Sequence, residues 1–148
     1  MSQKLPNLPW DSPEFYRQAH PVAAQRVQFV EHQDKRILVM DFTGADPQLL
    51  KAIAAECFHV VSSQSPKSLR TLSDIAGAEY SGEVLSILTE LVKKNRPYVL
   101  RGAVTGVTGL RYFALKTIIS ASNRPIKLFD TRLQALDWLA KDDTELSG

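Results

Sequence analysis

Asp41, Asp74 and Asp130 each stand at or near the C-terminal end of a predicted strand, the position where α/β proteins gather their active sites. Carboxylates there could serve as general acids or bases, and an uncharacterised enzyme built on these strand-end aspartates is one reading of the chain. Aspartates at strand ends also close turns by accepting backbone N–H bonds. No nucleophile–base pair accompanies them, so the turn role is the stronger expectation. The run Thr105-Gly106-Val107-Thr108-Gly109 is a second candidate, with Arg101 and Arg111 close by in sequence. Its glycines permit a tight turn with outward N–H groups that could hold an anion. No Gly-Lys-Ser/Thr follows and the dinucleotide fingerprint is incomplete, so the turn reads first as a strand-to-helix connection capped by Thr108. Ser81 opens a predicted helix. A phosphate there would meet free backbone N–H groups, although serine is equally an ordinary helix cap.

The fourth candidate is an apolar helix, Leu110–Ala121, with the sequence LRYFALKTIISA. Leu110, Phe113, Ala114, Thr117, Ile118 and Ala121 form one stripe at helical spacing, while Tyr112, Leu115 and Ile119 lie off it. If the stripe packs on a sheet, the other three need a second cover. The choices are the last helix through Trp138 and Leu139, a second subunit, an apolar lipid-like ligand or a membrane surface. Arg111, Lys116 and Arg124 could meet anionic head groups. His20, His32 and His59 lack metal-binding spacing, so no metal and no cofactor is expected. Cys57 falls on an apolar helical stripe and reads as core, and His59, two residues on, diverges from it. Lys93-Lys94-Asn95-Arg96 reads as a solvated helix end suited to the helix dipole.

These residues require an alternating frame. Four prolines in Met1–Pro21 predict an N-terminal arm over residues 1–24 that stands outside the core, with a short helix over Pro13–Gln18. Trp10, Phe15 and Tyr16 could pin that arm to the domain or to a second copy. Arg26–Gln33 and Arg36–Phe42 predict an antiparallel hairpin, the second strand central. Asp46-Pro47 opens a helix whose apolar face is Leu50, Ile53, Ala54, Cys57 and Val61. Ser68–Ile75 is a strand. Ser81 caps a helix to about Lys94 with Val84, Leu85, Leu88, Leu91 and Val92 on its face, and Pro97 forces the exit. Tyr98–Val104 and Ile126–Phe129 are strands. Thr131 caps a last helix with Leu133, Leu136, Trp138 and Leu139 on its apolar side. The order β-β-α-β-α-β-α-β-α implies an α/β domain over residues 25–141, a mixed sheet of about five strands with about four helices, and a polar tail over 142–148.

Composition narrows the function classes. The chain has 148 residues, and a formal charge of +2 gives no case for nucleic acid. One cysteine precludes an internal disulfide and fits a reducing compartment. No apolar run reaches the about 18 residues of a membrane span, and the N-terminus lacks a signal-peptide core. The expected location is the cytoplasm, with peripheral membrane contact if the Leu110–Ala121 helix meets lipid.

The segments RILVMDFTGADPQLL, TLSDIAGAEYSGEVLSIL, NRPYVLRGAVTGVTGLRYFAL and KLFDTRLQALDWLA together resemble the bacterial SpoIIAA-like (STAS/SEC14-type) family across about Arg26–Ala140. The resemblance implies the STAS fold. It also implies a non-enzymatic binding or regulatory module, and its SEC14 side implies lipid-like ligands. In the antagonists of that family a serine at the place of Ser81 is phosphorylated and switches partner binding. This chain departs from their motif in having Glu79-Tyr80 before a single serine. The leading expectation is a module that engages an apolar ligand, a membrane surface or a protein partner through Leu110–Ala121 and the turn before it. A phosphorylation-switched regulator acting at Ser81 is the alternative. The Trp10–Tyr16 arm and the Leu110–Ala121 helix both offer apolar contacts to a protein partner or to a second copy in a homodimer.

Overall fold

A computed structural model describes residues 5–109, 116 and 126–142. Its five strands are β1 (Val27–His32), β2 (Lys35–Asp41), β3 (Leu69–Asp74), β4 (Val99–Thr105) and β5 (Ile126–Phe129). They lie in the spatial order β1-β2-β3-β4-β5. β1 runs antiparallel to β2, and the pairs β2–β3, β3–β4 and β4–β5 are parallel. The described helices are α1 (Pro13–Ala23), α2 (Pro47–Val61), α3 (Gly82–Asn95) and α4 (Arg132–Leu139). The helix expected over Leu110–Ala121 lies outside the described residues except for Lys116.

Local chemistry sets most element ends. Gln33 and Asp34 both take positive φ, 49° and 65°, so the β1–β2 hairpin turns in two residues. Asp46 accepts from the Leu49 N–H ahead of Pro47, and Ser81 accepts from the Val84 N–H. Thr131 forms a reciprocal capping box with Gln134.

Strand alternation divides the core in two. Leu38, Met40 and Leu69 join α1, α2 and α3 in the larger cluster, while Ile37, Leu72 and Ala103 meet Ala135 and Leu139 of α4 on the opposite face. A register shift between Leu69 and Arg70 lets Val99 and Arg101 both pair with consecutive residues of β3. Consequently Arg70, Leu72 and Asp74 share the α4 face with Arg101, Ala103 and Thr105.

Three expectations need correction. The N-terminal segment is part of the core: Leu5, Trp10, Phe15, Ala19 and Ala23 are buried within the larger cluster. Its helix does not stop near Gln18 but continues to Ala23 through Pro21. Phe15, Ala19 and Ala23 recur every fourth residue on the buried side. Arg17 and Pro21 are exposed, so water can serve the Arg17 carbonyl that proline leaves unbonded. Trp10 donates to Glu90 at 3.2 Å and meets Phe58 edge-on, and Lys94 pairs with Asp11 at 2.9 Å. Thus the basic run ending α3 is partly a tether. Finally, Leu133 is 61% exposed, and α4 buries Ala135 and Leu139 instead. An eight-residue helix crossing the sheet presents one narrow line inward, and Leu133 falls off it.

Candidate functional site

Parallel register brings Asp41, Asp74, Thr105 and Phe129 into one row at the C-terminal end of the sheet. The backbone after each aspartate turns back on its carboxylate. Asp41 Oδ1 accepts from the Thr43 N–H at 3.0 Å and the Thr43 hydroxyl at 2.6 Å, and Asp74 Oδ1 accepts from the Ala76 N–H at 3.1 Å. The capping box at Thr131 places Arg132 at the first position of α4, directly over this row. Its Nε donates to Asp74 Oδ2 at 2.6 Å, and a second guanidinium nitrogen lies 3.5 Å from Asp41 Oδ1. Arg26 approaches Asp41 from the other side at 3.8 Å and donates to the Thr43 carbonyl at 2.8 Å. Partial burial alone would raise the Asp41 pKa. The two bonds from Thr43, with Arg132 and Arg26 beside them, outweigh burial and hold it below the ordinary aspartate value. Such a carboxylate stays ionised and braces turns; it is not tuned for proton transfer near neutrality. Asp130 is exposed and stands apart from these contacts. Thr105, between Asp74 and Phe129 in the row, has a buried hydroxyl with no hydrogen-bond partner among the described residues.

Just past this row two loops come into close contact. Gly106 has φ +88°, and a Cβ there would fall 2.3 Å from the Ala76 nitrogen. The Ile75 N–H donates to the Thr105 carbonyl at 3.0 Å, so the turn after β4 is seated against the loop after β3. Thr108 and Gly109 are exposed, and Gly109 also takes positive φ. Ala76, Gly77, Glu79, Ser81, Gly82 and Glu83 line the neighbouring loop and helix start, also exposed.

Of the residues singled out in sequence, Thr105, Gly106, Thr108, Gly109 and Ser81 therefore follow the ends of two adjacent strands. Leu110, Arg111, Tyr112, Leu115 and Ile119 lie outside the described residues. Arg101 does not assist the turn. It is 2% exposed, donates to the Lys141 carbonyl at 2.7 Å and lies toward Trp138, four positions back along β4 from Thr105. Arg70, its neighbour across the ladder, donates to the Leu139 and Lys141 carbonyls, so both arginines cap the C-terminus of α4.

Two groupings escaped the sequence reading. Arg132 was one; its signal was a cation just inside a capped helix that starts at the same sheet end as two aspartates. The other joins α1 to α2. Glu56 is 4% exposed, and its carboxylate lies 2.6 Å from His20 Nδ1, with the Tyr16 hydroxyl 3.1 Å from the same nitrogen. The Tyr16 ring stacks on His59 at 4.0 Å. Partial burial and then the Glu56 charge push the Tyr16 phenol pKa up. Its signal was one glutamate set among Ala54, Ala55 and Cys57 on a buried helix. Cys57 is fully buried and its thiol pKa is pushed well up, by burial first and by Glu56 next, as befits a core residue. Among the described residues no group of three metal-ligating side chains converges, and no helix is long and apolar enough to cross a membrane.

No family model matches the chain, and no curated protein matches it. Among solved structures it is similar to an uncharacterized protein with a SpoIIAA-like fold from Shewanella loihica PV-4. That match has 19% identity and a TM-score of 0.64, over 77% of this chain and 92% of the other. It is also similar to an anti-sigma-factor antagonist (STAS) domain protein from Planctomyces limnophilus. Here the identity is 16% and the TM-score 0.55, over 78% of this chain and 98% of the other. The chain has the SpoIIAA-like (STAS) fold. At these identities the likeness is one of fold.

Within this SpoIIAA-like frame, Arg132 is the part of the strand-end cluster most open to test. Arg132→Met leaves Asp74, whose side chain is 11% exposed, without its cation. The expected loss at neutral pH is about 2 kcal/mol, below the full cost of unpairing a buried charge because the Arg132 side chain is 45% exposed. The Asp41 pKa is lower folded than unfolded, so its contribution is complete above the unfolded value and fades as pH falls through the folded one. Arg132 adds to the two Thr43 bonds that lower it, so in urea melts across pH the Asp41 share of the gap between parent and variant should fade below about pH 4. A gap independent of pH would mean that packing, not charge, is what Arg132 provides.

Proposed function

We propose that this chain is a non-enzymatic binding and regulatory module that engages a protein partner through the turn Thr105–Gly109, the Ala76–Glu83 loop beside it and the Leu110–Ala121 segment. The observation that carries this reading is the seating of Gly106 on Ala76. It fuses two loops from adjacent strands into one platform. A platform fixed before binding loses little entropy when a partner docks. Its exposed residues are small or acidic: Gly77, Gly82, Thr108 and Gly109, with Glu79 and Glu83. Anionic head groups would be repelled by such a surface, whereas a basic or hydroxyl-bearing protein segment would be accepted. An apolar lipid-like ligand or a membrane surface remains the competing occupant through Tyr112, Leu115 and Ile119.

A photo-crosslinking residue at Thr108, introduced into the full chain in its native cells, tests the reading. Mass spectrometry of the products should show a discrete protein adduct that is lost when Glu79 and Glu83 are both changed to lysine. The same spectra report any phosphate on Ser81. Adducts to lipid alone would transfer the proposal to the apolar ligand.

A further inference from the structure

Among the described residues the sheet has an uncovered edge at β1. Among the described residues no strand lies beyond it, and Gln28, Val30 and Glu31 are exposed. Natural edge strands are commonly guarded by proline, lysine, a bulge or a covering element. Val27–His32, VQFVEH, contains no proline and no lysine, and pairs with β2 in unbroken register. The hairpin geometry states which backbone groups point outward. In a two-residue hairpin the residues flanking the turn form a hydrogen-bonded pair, and such pairs then alternate along the ladder. His32↔Lys35, Val30↔Ile37 and Gln28↔Val39 are therefore the bonded pairs, which leaves the N–H and C=O groups of Val27, Phe29 and Glu31 directed away from β2.

Those three residues are self-complementary in one register. A two-fold axis at Phe29 sets Phe29 opposite its copy and sets each Val27 opposite a Glu31, so every outward donor finds an acceptor. The centre is apolar, and the exposed Val30 of each copy stands beside Gln28 of the other. The Glu31 carboxylates face valine rather than one another. Axes at Val27 or Glu31 pair fewer groups, and the latter opposes like charges. Arg36, whose guanidinium lies 3.5 Å from the Phe29 ring centroid, flanks the seam and is the register partner of Glu31 within its own chain. The seam would thus carry both signs of charge. By contrast, Trp10 and Phe15 are spent inside the monomer, so the dimer surface expected from sequence at the N-terminal segment is not available.

We propose that two copies of this chain associate through antiparallel β1–β1 pairing about Phe29, continuing one sheet across both. The mode is strand addition, in which backbone bonds give the affinity. Sedimentation analysis of the full chain over a wide concentration range should show a reversible dimer. Glu31→Pro removes one outward donor from each copy and none from the β1–β2 ladder, and two lost bonds should weaken the dimer about tenfold. Val30→Lys sets a solvated cation beside the seam and should weaken it to a similar extent, and it keeps the test alive if the proline variant does not fold. Both variants should retain the parent's far-ultraviolet dichroism. A chain that stays monomeric at every concentration overturns the proposal, as does a dimer that neither variant weakens.

Discussion

Gly106→Ala should destabilise the chain by about 3 kcal/mol, combining the strain of a non-glycine residue at positive φ with a steric conflict. Its φ is +88°, and the added carbon would sit 2.3 Å from the Ala76 nitrogen, 2.7 Å from its Cα and 2.8 Å from its Cβ. Two of those three atoms are backbone, so no rotamer change relieves the clash. Either the β4 turn lifts or the Ile75–Ala78 loop moves. Chemical denaturation measures the loss directly. Amide exchange separates the two outcomes, because a lifted turn should unprotect Ile75, whose N–H is bonded to the Thr105 carbonyl at 3.0 Å. Gly109→Ala is the control: it has φ +60°, an added Cβ would meet nothing within 4 Å among the described residues, and it should cost about 1 kcal/mol. Equal costs at the two glycines would show that the seating on Ala76 is not tight, and the platform proposed for partner binding would lose its basis.

Phe15→Ala should cost about 4 kcal/mol. Phe15 has no exposed surface and is the first and largest side chain of the stripe Phe15, Ala19 and Ala23 that α1 lays on α2. If the N-terminal segment were an appendage, the loss would be small and confined to α1. The buried ring predicts instead a cooperative loss, seen as a common shift of the thermal transition followed by tryptophan fluorescence, through Trp10, and by dichroism of the whole chain. The His20–Glu56 contact should be disturbed with it, since α1 could no longer hold the imidazole 2.6 Å from that buried carboxylate.

The frame was readable because the chain marks its own boundaries. Asp46-Pro47, Ser81 and Thr131 are caps whose side chains bond where expected, and Ile126–Phe129 is a strand with the predicted ends. Such signals are local, and local signals survive into the fold. Misreadings arose where distant residues decide. Pro21 looks like a stop, but the burial of Ala19 and Ala23 against α2 carries the helix past it. Leu133 looks like core, but the path of α4 over the sheet leaves it outside. Arg101 is near the glycine turn in sequence, yet a β-strand advances about 3.3 Å per residue, so four residues move it well along the sheet. Asp41, Asp74 and Arg132 are separated by long stretches of chain, and only parallel register makes them neighbours.

The two ends of α4 read different chemistry on the same strand. Arg132 recognises the Asp74 carboxylate near one end of β3, and Arg70 near the other end recognises the carbonyls of Leu139 and Lys141. Arg70, Leu72 and Asp74 face the helix only in the native register; a one-residue slip of β3 would turn all three to the opposite side. Every attachment of α4 to that strand would be lost together. The helix therefore acts as a proofreader of strand alignment: it can dock fully only on a correctly paired sheet, and once docked it penalises any shift.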